Sequence, residues 1–184
     1  GRLIFGNPSS IHQEGVMAKK YLEESRQTVA GILNALPDEI IFTGGGTESN
    51  NLAIFGAARY WQELNRRPGH IVTTPIEHRS VLAPCEILKK DGWEISFLPV
   101  DRTGLVRPAE LKKLLRSETV IISVGYVNNE IGTVQPVREL AKIVRQFRKP
   151  ITHNLAPNAY PYFHTDACQA PRFLDLDAPR LGVD

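Results

Sequence analysis

Short β-branched segments alternate with helix-forming segments along the whole chain, and this alternation limits the folds open to it. Strands are predicted at residues 39–43, 70–74, 93–100, 119–125 and 160–165, and helices are predicted at 11–36, 47–61, from 79 or 80 to 88, from 108 and from 136. This order favours an α/β fold, a mostly parallel sheet with helices on both faces. In such sheets ligands bind beyond the carboxyl ends of the strands, so we expect the site there.

Composition indicates a globular protein of ordinary charge. The 184 residues can bury one core and form one domain, with room for a small appendage. The net charge of +2, with scattered basic residues, argues against a nucleic-acid surface, and no apolar run is long enough to span a membrane. Only two cysteines occur, Cys85 and Cys168, which favours a reducing compartment, here the cytoplasm.

Three consecutive glycines separate the first predicted strand from the next helix. In the segment EIIFTGGGTESNN (residues 39–51), a buried strand runs into Gly44, Gly45 and Gly46, and Thr47 opens a helix. The first N–H groups of a helix lack intrahelical partners and its dipole attracts anions, so this corner can bind a phosphate. Thr47 can cap the helix and offer its hydroxyl to that phosphate. The segment matches neither the P-loop nor the dinucleotide pattern, and a glycine turn without a ligand remains an alternative.

Four polar clusters fall where predicted strands end, at residues 44–47, 77–78, 128–130 and 166–169. Each also has a plainer interpretation. His78 can be a capping residue, Asp166 can be a helix N-cap, and Asn128 and Asn129 can be turn residues. Cys168 is expected to pack as a small apolar residue. The spacing of His and Cys matches no metal site.

Together these clusters have the chemistry to hold one ligand. A phosphate would lie on the glycine corner, and an aromatic ring would lie against the imidazole of His78. Burying the Asp166 carboxylate without a cationic partner would cost free energy, and a protonated pyridine nitrogen is one such partner. The amides of Asn129 and Gln169 could bond a phenolic oxygen or a substrate carboxylate. Phosphate, ring, pyridinium and phenolic oxygen together describe pyridoxal 5'-phosphate.

Five motifs in the chain resemble those of a known family. They are GNPSSIH at 6–12, FTGGGTESNNLAI at 42–54, EHRSVL at 77–82, VNNEIGTVQP at 127–136 and HTDACQA at 164–170. In this order and at these separations, the chain resembles the cysteine desulfurases of the NifS and IscS type. These belong to the class V aminotransferases, which are fold-type I pyridoxal phosphate enzymes. Five collinear motifs are far more specific than any one of them.

The resemblance implies a role for each candidate residue, beginning with the phosphate and the ring face. The Gly46 backbone and the Thr47 hydroxyl would bind the phosphate. His78 would stack on the pyridine ring and assist proton transfers at the substrate α-carbon, which makes it the catalytic candidate.

The remaining candidates would hold the edge of the ring. Asp166 would pair with the pyridinium nitrogen and keep it protonated. Gln169 would hydrogen-bond the phenolic oxygen, and Asn129 would face that oxygen or the substrate.

The resemblance also implies an activity and partners. The family's reaction converts L-cysteine to L-alanine and leaves the sulfur as a persulfide on an enzyme cysteine. The sulfur then passes to an acceptor such as an iron–sulfur scaffold protein, or to tRNA thiolation. A homodimer is expected, since such enzymes complete their phosphate sites across subunits.

Several parts that the resemblance implies are absent from residues 1–184, so we expect a fragment of the cofactor-binding large domain that is inactive alone. The missing parts are the N-terminal start, the C-terminal small domain, the persulfide-forming cysteine and the lysine that binds the cofactor, which is expected beyond Asp184. Cys168 is not taken as the sulfur nucleophile, because in the family that cysteine lies on a later loop. Residues 149–160 are interpreted as an insertion without an assigned function.

Three alternatives remain open from the sequence. A selenocysteine lyase or an aminotransferase of the same class would share these motifs. A nucleotide-binding α/β domain could use the same glycine turn, but it would need an acid for the ribose and would have no use for Asp166. A catalytically inactive scaffold could keep the fold for protein contacts.

Overall fold

The structure, a computed structural model, describes residues 5–148 and 160–184. The predicted insertion, apart from Tyr160, lies outside these residues. The described helices are α1 (Gln13–Leu33), α2 (Gly46–Asn65), α3 (Arg79–Lys90), α4 (Pro108–Leu114), α5 (Val137–Phe147) and α6 (Ala178–Leu181), and the strands are β1 (His70–Thr73), β2 (Glu94–Phe97), β3 (Thr119–Ser123) and β4 (Tyr162–His164). These residues divide into two compact units, one reaching Phe42 and including Asp177–Pro179, the other made of Thr43–Leu176 and Arg180–Asp184.

The first unit is built around α1. The side chain of His12 caps this helix by accepting a hydrogen bond from the N–H of Gly15 at 3.2 Å. Asn34 ends it in the left-handed conformation. Arg26, on the same helix, bonds the carbonyl of Ile40 and lies 5.1 Å from the centre of the Phe42 ring. These contacts hold the segment that follows α1 against the helix.

The buried strand predicted at residues 39–43 is wrong. Pro37–Glu39 forms a 3-10 turn, and Ile41 and Phe42 are 69% and 46% exposed. Proline at the start of that turn fixes a helical φ angle, and the Ile40 carbonyl is taken by Arg26 rather than by a neighbouring strand. An apolar β-branched run becomes a strand only where a partner supplies the ladder.

The second unit contains a parallel sheet. Among the described residues it has four strands in the order β2-β1-β3-β4, and every neighbouring pair is parallel. Ile71 of β1 lies opposite Ile95 of β2 and Ile121 of β3, and Ile122 lies opposite Phe163 of β4. All residues of β1 and β3 are buried, as expected for central strands covered on both faces.

Helices cover both faces of this sheet, which confirms the predicted architecture. Alternate strand residues point to opposite faces. One face packs Ile71 and Ile121 against α2 and α3, and the other packs Val72, Ile122 and Phe163 against α4 and α5. The buried residues of α5 lie three or four positions apart on one helix face and are Val137, Leu140, Ala141 and Val144. No helix within residues 5–148 and 160–184 is long and apolar enough to cross a membrane.

Candidate cofactor site

A cavity of about 260 Å³ opens beyond the ends of β1, β3 and β4. The start of α2 and the loops that follow these three strands line it. Because parallel strands end at the same edge of a sheet, segments far apart in the sequence meet here. The six residues predicted from the sequence all line this cavity: Gly46, Thr47, His78, Asn129, Asp166 and Gln169.

Glycine occurs at each of the three positions of this corner for a different structural reason. A Cβ atom on Gly44 would lie 3.0 Å from the Glu48 carboxylate oxygen, which accepts from the Gly44 N–H at 2.6 Å. Gly45 has a φ of 154°, which favours glycine. A Cβ atom on Gly46 would lie 2.6 Å from the sulfur of Cys168. The absence of a side chain at Gly46 therefore makes room for the side chain of Cys168.

The predicted capping role of Thr47 is wrong. The helix begins at Gly46, and its N-cap is Gly45, which makes no side-chain capping bond. Thr47 lies inside the first turn and lines the cavity. The first N–H groups of this turn have no intrahelical acceptor, so the corner retains the anion-binding character that its sequence predicts.

Asp166 is held as a carboxylate by hydrogen bonds. One of its oxygens accepts from the N–H of Cys168 at 3.0 Å, and the other accepts from the side-chain amide of Asn50 at 2.7 Å. Burial alone would raise the pKa of Asp166, but these hydrogen bonds outweigh burial and lower that pKa below its ordinary value. Asp166 is only half-buried, so the condition of burial without a cationic partner is not met, and its charge can still pair with a cation.

His78 caps a helix and also lines the cavity. Its Nδ1 accepts from the N–H of Ser80 at 3.1 Å and caps α3, so the capping interpretation is confirmed. The same nitrogen lies 2.7 Å from the Ser80 hydroxyl oxygen. His78 also lines the cavity, so capping fixes the ring beside the place where a ligand would lie.

The two asparagines that follow β3 differ in role. Asn128 donates to the Ile76 carbonyl at 2.9 Å and accepts from the N–H groups of Glu130 and Ile131 at 2.9 and 3.0 Å. It is therefore the turn residue. Asn129 is exposed and lines the cavity, which leaves its amide available to a ligand.

Glu77 is a site residue to which sequence reasoning gave no role. Its carboxylate accepts from the Gly125 N–H at 3.0 Å and from the Thr74 hydroxyl at 2.7 Å. Burial raises the pKa of Glu77 to about 6, against the lowering effect of these hydrogen bonds, and the charge of Asp166 adds to the rise. The available signals were its place directly before His78 in the EHRSVL motif and in the polar cluster at the end of a predicted strand.

Asn50 and Ser80 were also missed, and both are buried. Asn50 lies four residues after Gly46 on α2, which puts it on the same helix face, and this spacing could have indicated it. Ser80 lies in the EHRSVL motif, but a serine in a first helical turn is common, so its residue type indicates no role in the site.

Cys168 does not pack as a small apolar residue, and that prediction is wrong. It is exposed, and its sulfur lies at the cavity next to Gly46. Partial burial of the thiol and its hydrogen bond to Asp166 raise the pKa of Cys168 to about 11, so the thiol is protonated at neutral pH. Within the described part of the chain, no group of three or more His, Cys, Asp and Glu side chains could hold a metal ion.

Comparison with known proteins identifies the family. The family described as Aminotransferase class-V matches residues 2–184. This chain therefore belongs to the class V aminotransferases, a membership that sets aside the nucleotide-binding alternative.

Individual relatives agree with this assignment. A curated protein named cysteine desulfurase IscS, from Dictyoglomus turgidum, is 47% identical over 180 residues, which is 98% of this chain and 42% of that protein. A solved structure named NIFS-like protein has a TM-score of 0.87 and 35% identity, and the match covers 100% of this chain and 47% of that one. Another, described as SspA in complex with cysteine, has a TM-score of 0.86 and 35% identity over 98% of this chain and 48% of that one. The chain thus spans less than half the length of these relatives.

Proposed function

We propose that the protein carrying this chain is a pyridoxal phosphate-dependent cysteine desulfurase, and that residues 1–184 form part of its cofactor-binding domain. The carbon–sulfur bond of L-cysteine breaks, L-alanine leaves, and the sulfur joins an enzyme thiol as a persulfide. The observation that carries the proposal is the ionised Asp166 carboxylate in the same cavity as the N-terminus of α2 and His78. The similarity to proteins named cysteine desulfurase supports it.

The donor set of the cavity fits pyridoxal phosphate. The N–H groups at Gly46 and Thr47, with the Thr47 hydroxyl, would bind the phosphate at the positive end of α2. Asp166 would pair with the ring nitrogen, and its hydrogen bonds to Asn50 and Cys168 already fix the carboxylate. When bound, the cofactor supplies an electron sink for the substrate α-carbon.

The other candidates bind the ring and the substrate in this proposal. The imidazole of His78, fixed by its capping bond, would lie against the ring face. Gln169 would donate to the phenolic oxygen, and Asn129 would bond that oxygen or the substrate carboxylate. Both amides line the cavity.

Partners and cellular location follow from the same proposal. The substrate is L-cysteine, the acceptor is a sulfur-accepting protein such as an iron–sulfur scaffold, and the active form is a homodimer. The small number of cysteines supports a reducing compartment, and we propose the cytoplasm.

The test is an assay of the whole protein with pyridoxal phosphate, L-cysteine and a thiol reductant that releases the persulfide sulfur as sulfide, in which alanine and sulfide are measured. Asp166→Ala should lower turnover by about 10²-fold or more, because a charge-stabilising group is lost. Asp38→Ala, which removes an exposed carboxylate from the 3-10 turn, is the matched control and should behave as wild type.

Two outcomes contradict the proposal at different points. Unchanged turnover in Asp166→Ala would refute the pyridinium pairing alone. If wild type releases no alanine from L-cysteine, the desulfurase assignment is wrong. The same assay with L-selenocysteine, or with an amino acid and a 2-oxo acid, then identifies a lyase or an aminotransferase of this class.

A further inference from the structure

A chain of side-chain hydrogen bonds joins the two main groups of the cavity. The Asn50 amide nitrogen lies 2.7 Å from an Asp166 carboxylate oxygen and 2.8 Å from the Ser80 hydroxyl oxygen. That hydroxyl oxygen lies 2.7 Å from Nδ1 of His78. Asn50 and Ser80 are 4% and 5% exposed, so water has little access to the bond between them. A carboxylate and an imidazole that both line the cavity are thus linked through two buried residues.

The ionised Asp166 carboxylate fixes which group donates and which accepts in each of these hydrogen bonds. A carboxylate only accepts hydrogen bonds, so Asn50 must direct its NH₂ group at Asp166. The second N–H of the same nitrogen then donates to the Ser80 oxygen. Because the Ser80 oxygen accepts from Asn50, its own proton is free to be donated to Nδ1 of His78.

A second donor acts on the same ring nitrogen. The backbone N–H of Ser80 also points at Nδ1 of His78, at 3.1 Å. A protonated Nδ1 would place its hydrogen against both donors. Nδ1 must therefore be a lone-pair acceptor, and the ring proton must lie on Nε2.

We propose that Asn50 and Ser80 are positioning residues that fix neutral His78 as its Nε2–H tautomer. His78 then presents one N–H donor to a ligand in the cavity, and this donor suits an anionic or carbonyl oxygen. In the framework of the proposed function, on which this consequence rests, neutral His78 orients the cofactor or substrate as a donor. It cannot remove a proton through Nε2, which differs from the proton-transfer role that the family resemblance implies.

The tautomer can be measured directly by nuclear magnetic resonance. The whole protein is labelled with [¹⁵N]histidine, no ligand is added, and ring nitrogen shifts are recorded at alkaline pH on the neutral ring. The His78 signals are those that disappear in His78→Gln. The expected result is an unprotonated Nδ1 and a protonated Nε2. A protonated Nδ1, or an even mixture, would overturn the proposal.

A near-isosteric variant tests the role of Asn50. In Asn50→Asp, a carboxyl group accepts from the Ser80 hydroxyl and turns its proton away from His78. The tautomer ratio should move about tenfold toward Nδ1–H, the size of one hydrogen bond of about 1.4 kcal/mol. Asn65→Asp is the matched control, because Asn65 lies at the other end of α2, where its side chain bonds the Trp61 carbonyl at 3.0 Å. An unchanged tautomer ratio in Asn50→Asp would refute the proposed effect of Asn50 on His78 through Ser80.

Ser80 provides a rescue test. Ser80→Ala should move the ratio in the same direction, and Ser80→Thr, which restores a hydroxyl, should return it toward wild type. A Ser80→Ala protein with the wild-type ratio would contradict the proposal, provided that circular dichroism shows a folded chain. Failure to bind pyridoxal phosphate would refute the proposed function while leaving these ligand-free measurements intact.

Discussion

Gly46→Ala tests whether glycine is required at the start of α2 because of Cys168. The added Cβ atom would lie 2.6 Å from the Cys168 sulfur, closer than real Cβ atoms approach their neighbours. The backbone at Gly46 has no left-handed φ, and alanine is the better helix former, so the sulfur is the obstacle. Either the two atoms clash, or Cys168 rotates and loses its hydrogen bond to Asp166.

The expected cost follows from these two routes. Overpacking costs about 1–3 kcal/mol, and a lost hydrogen bond costs about 1 kcal/mol. We therefore expect Gly46→Ala to lower the free energy of unfolding by about 1–2 kcal/mol. In a Cys168→Ala background the obstacle is absent, and the same substitution should be neutral or stabilising.

Urea unfolding of the whole protein, followed by the fluorescence of buried Trp61 and Trp93, measures this coupling. Gly56→Ala is the matched control, since Gly56 lies on the same helix with nothing within 4 Å of the added atom. It should stabilise the protein by up to about 1 kcal/mol. The reasoning is refuted if Gly46→Ala behaves like Gly56→Ala, or if its cost is unchanged without the Cys168 sulfur.

Three further predictions concern the other residues of the site. Burial raises the folded-state pKa of Glu77 from 4.5 to about 6, so its contribution to stability is complete below pH 4.5 and is lost as pH rises to about 6. The unfolding free energy of wild type relative to Glu77→Gln should therefore fall by about 2 kcal/mol across this range, and a constant difference would contradict the burial of Glu77. Asn128→Ala should lower the unfolding free energy by about 1–3 kcal/mol, because the hydrogen bonds of the turn are lost. Asn129→Ala should change ligand binding with little effect on stability. Equal effects of the two variants on stability would show that the two roles are not separate. His78→Ala should slow turnover of L-cysteine about tenfold or more while the protein still binds pyridoxal phosphate, because a donor that orients the ligand is lost, and normal kinetics would remove His78 from the site.

Local patterns in the sequence were enough to predict most of the fold. The strands at residues 70–74 and 119–125 are found as β1 and β3, because their uninterrupted apolar character fits burial on both faces of a sheet. The strand predicted at residues 39–43 does not form, because strand formation there requires a partner strand. The helix of α1 and the side chain of Arg26 occupy that segment instead.

The location of the site was also predictable, since the rule that parallel strands end at one edge is independent of side-chain detail. It brought Thr47, His78 and Asp166 to one cavity. The contacts within the cavity were not predictable. Asn50 and Asp166 are 116 positions apart, and nothing in either local sequence indicates their hydrogen bond.

By itself, the sequence determined the class of fold, the family and the edge of the sheet where polar residues gather, because these depend on hydrophobic periodicity and on motifs that are local along the chain. Only the tertiary structure decided why Gly46 has no side chain, how Asp166 stays ionised and which nitrogen of His78 faces Ser80. Packing distance, burial and the direction of a hydrogen bond depend on atoms from distant segments, and these meet only after the sheet has formed.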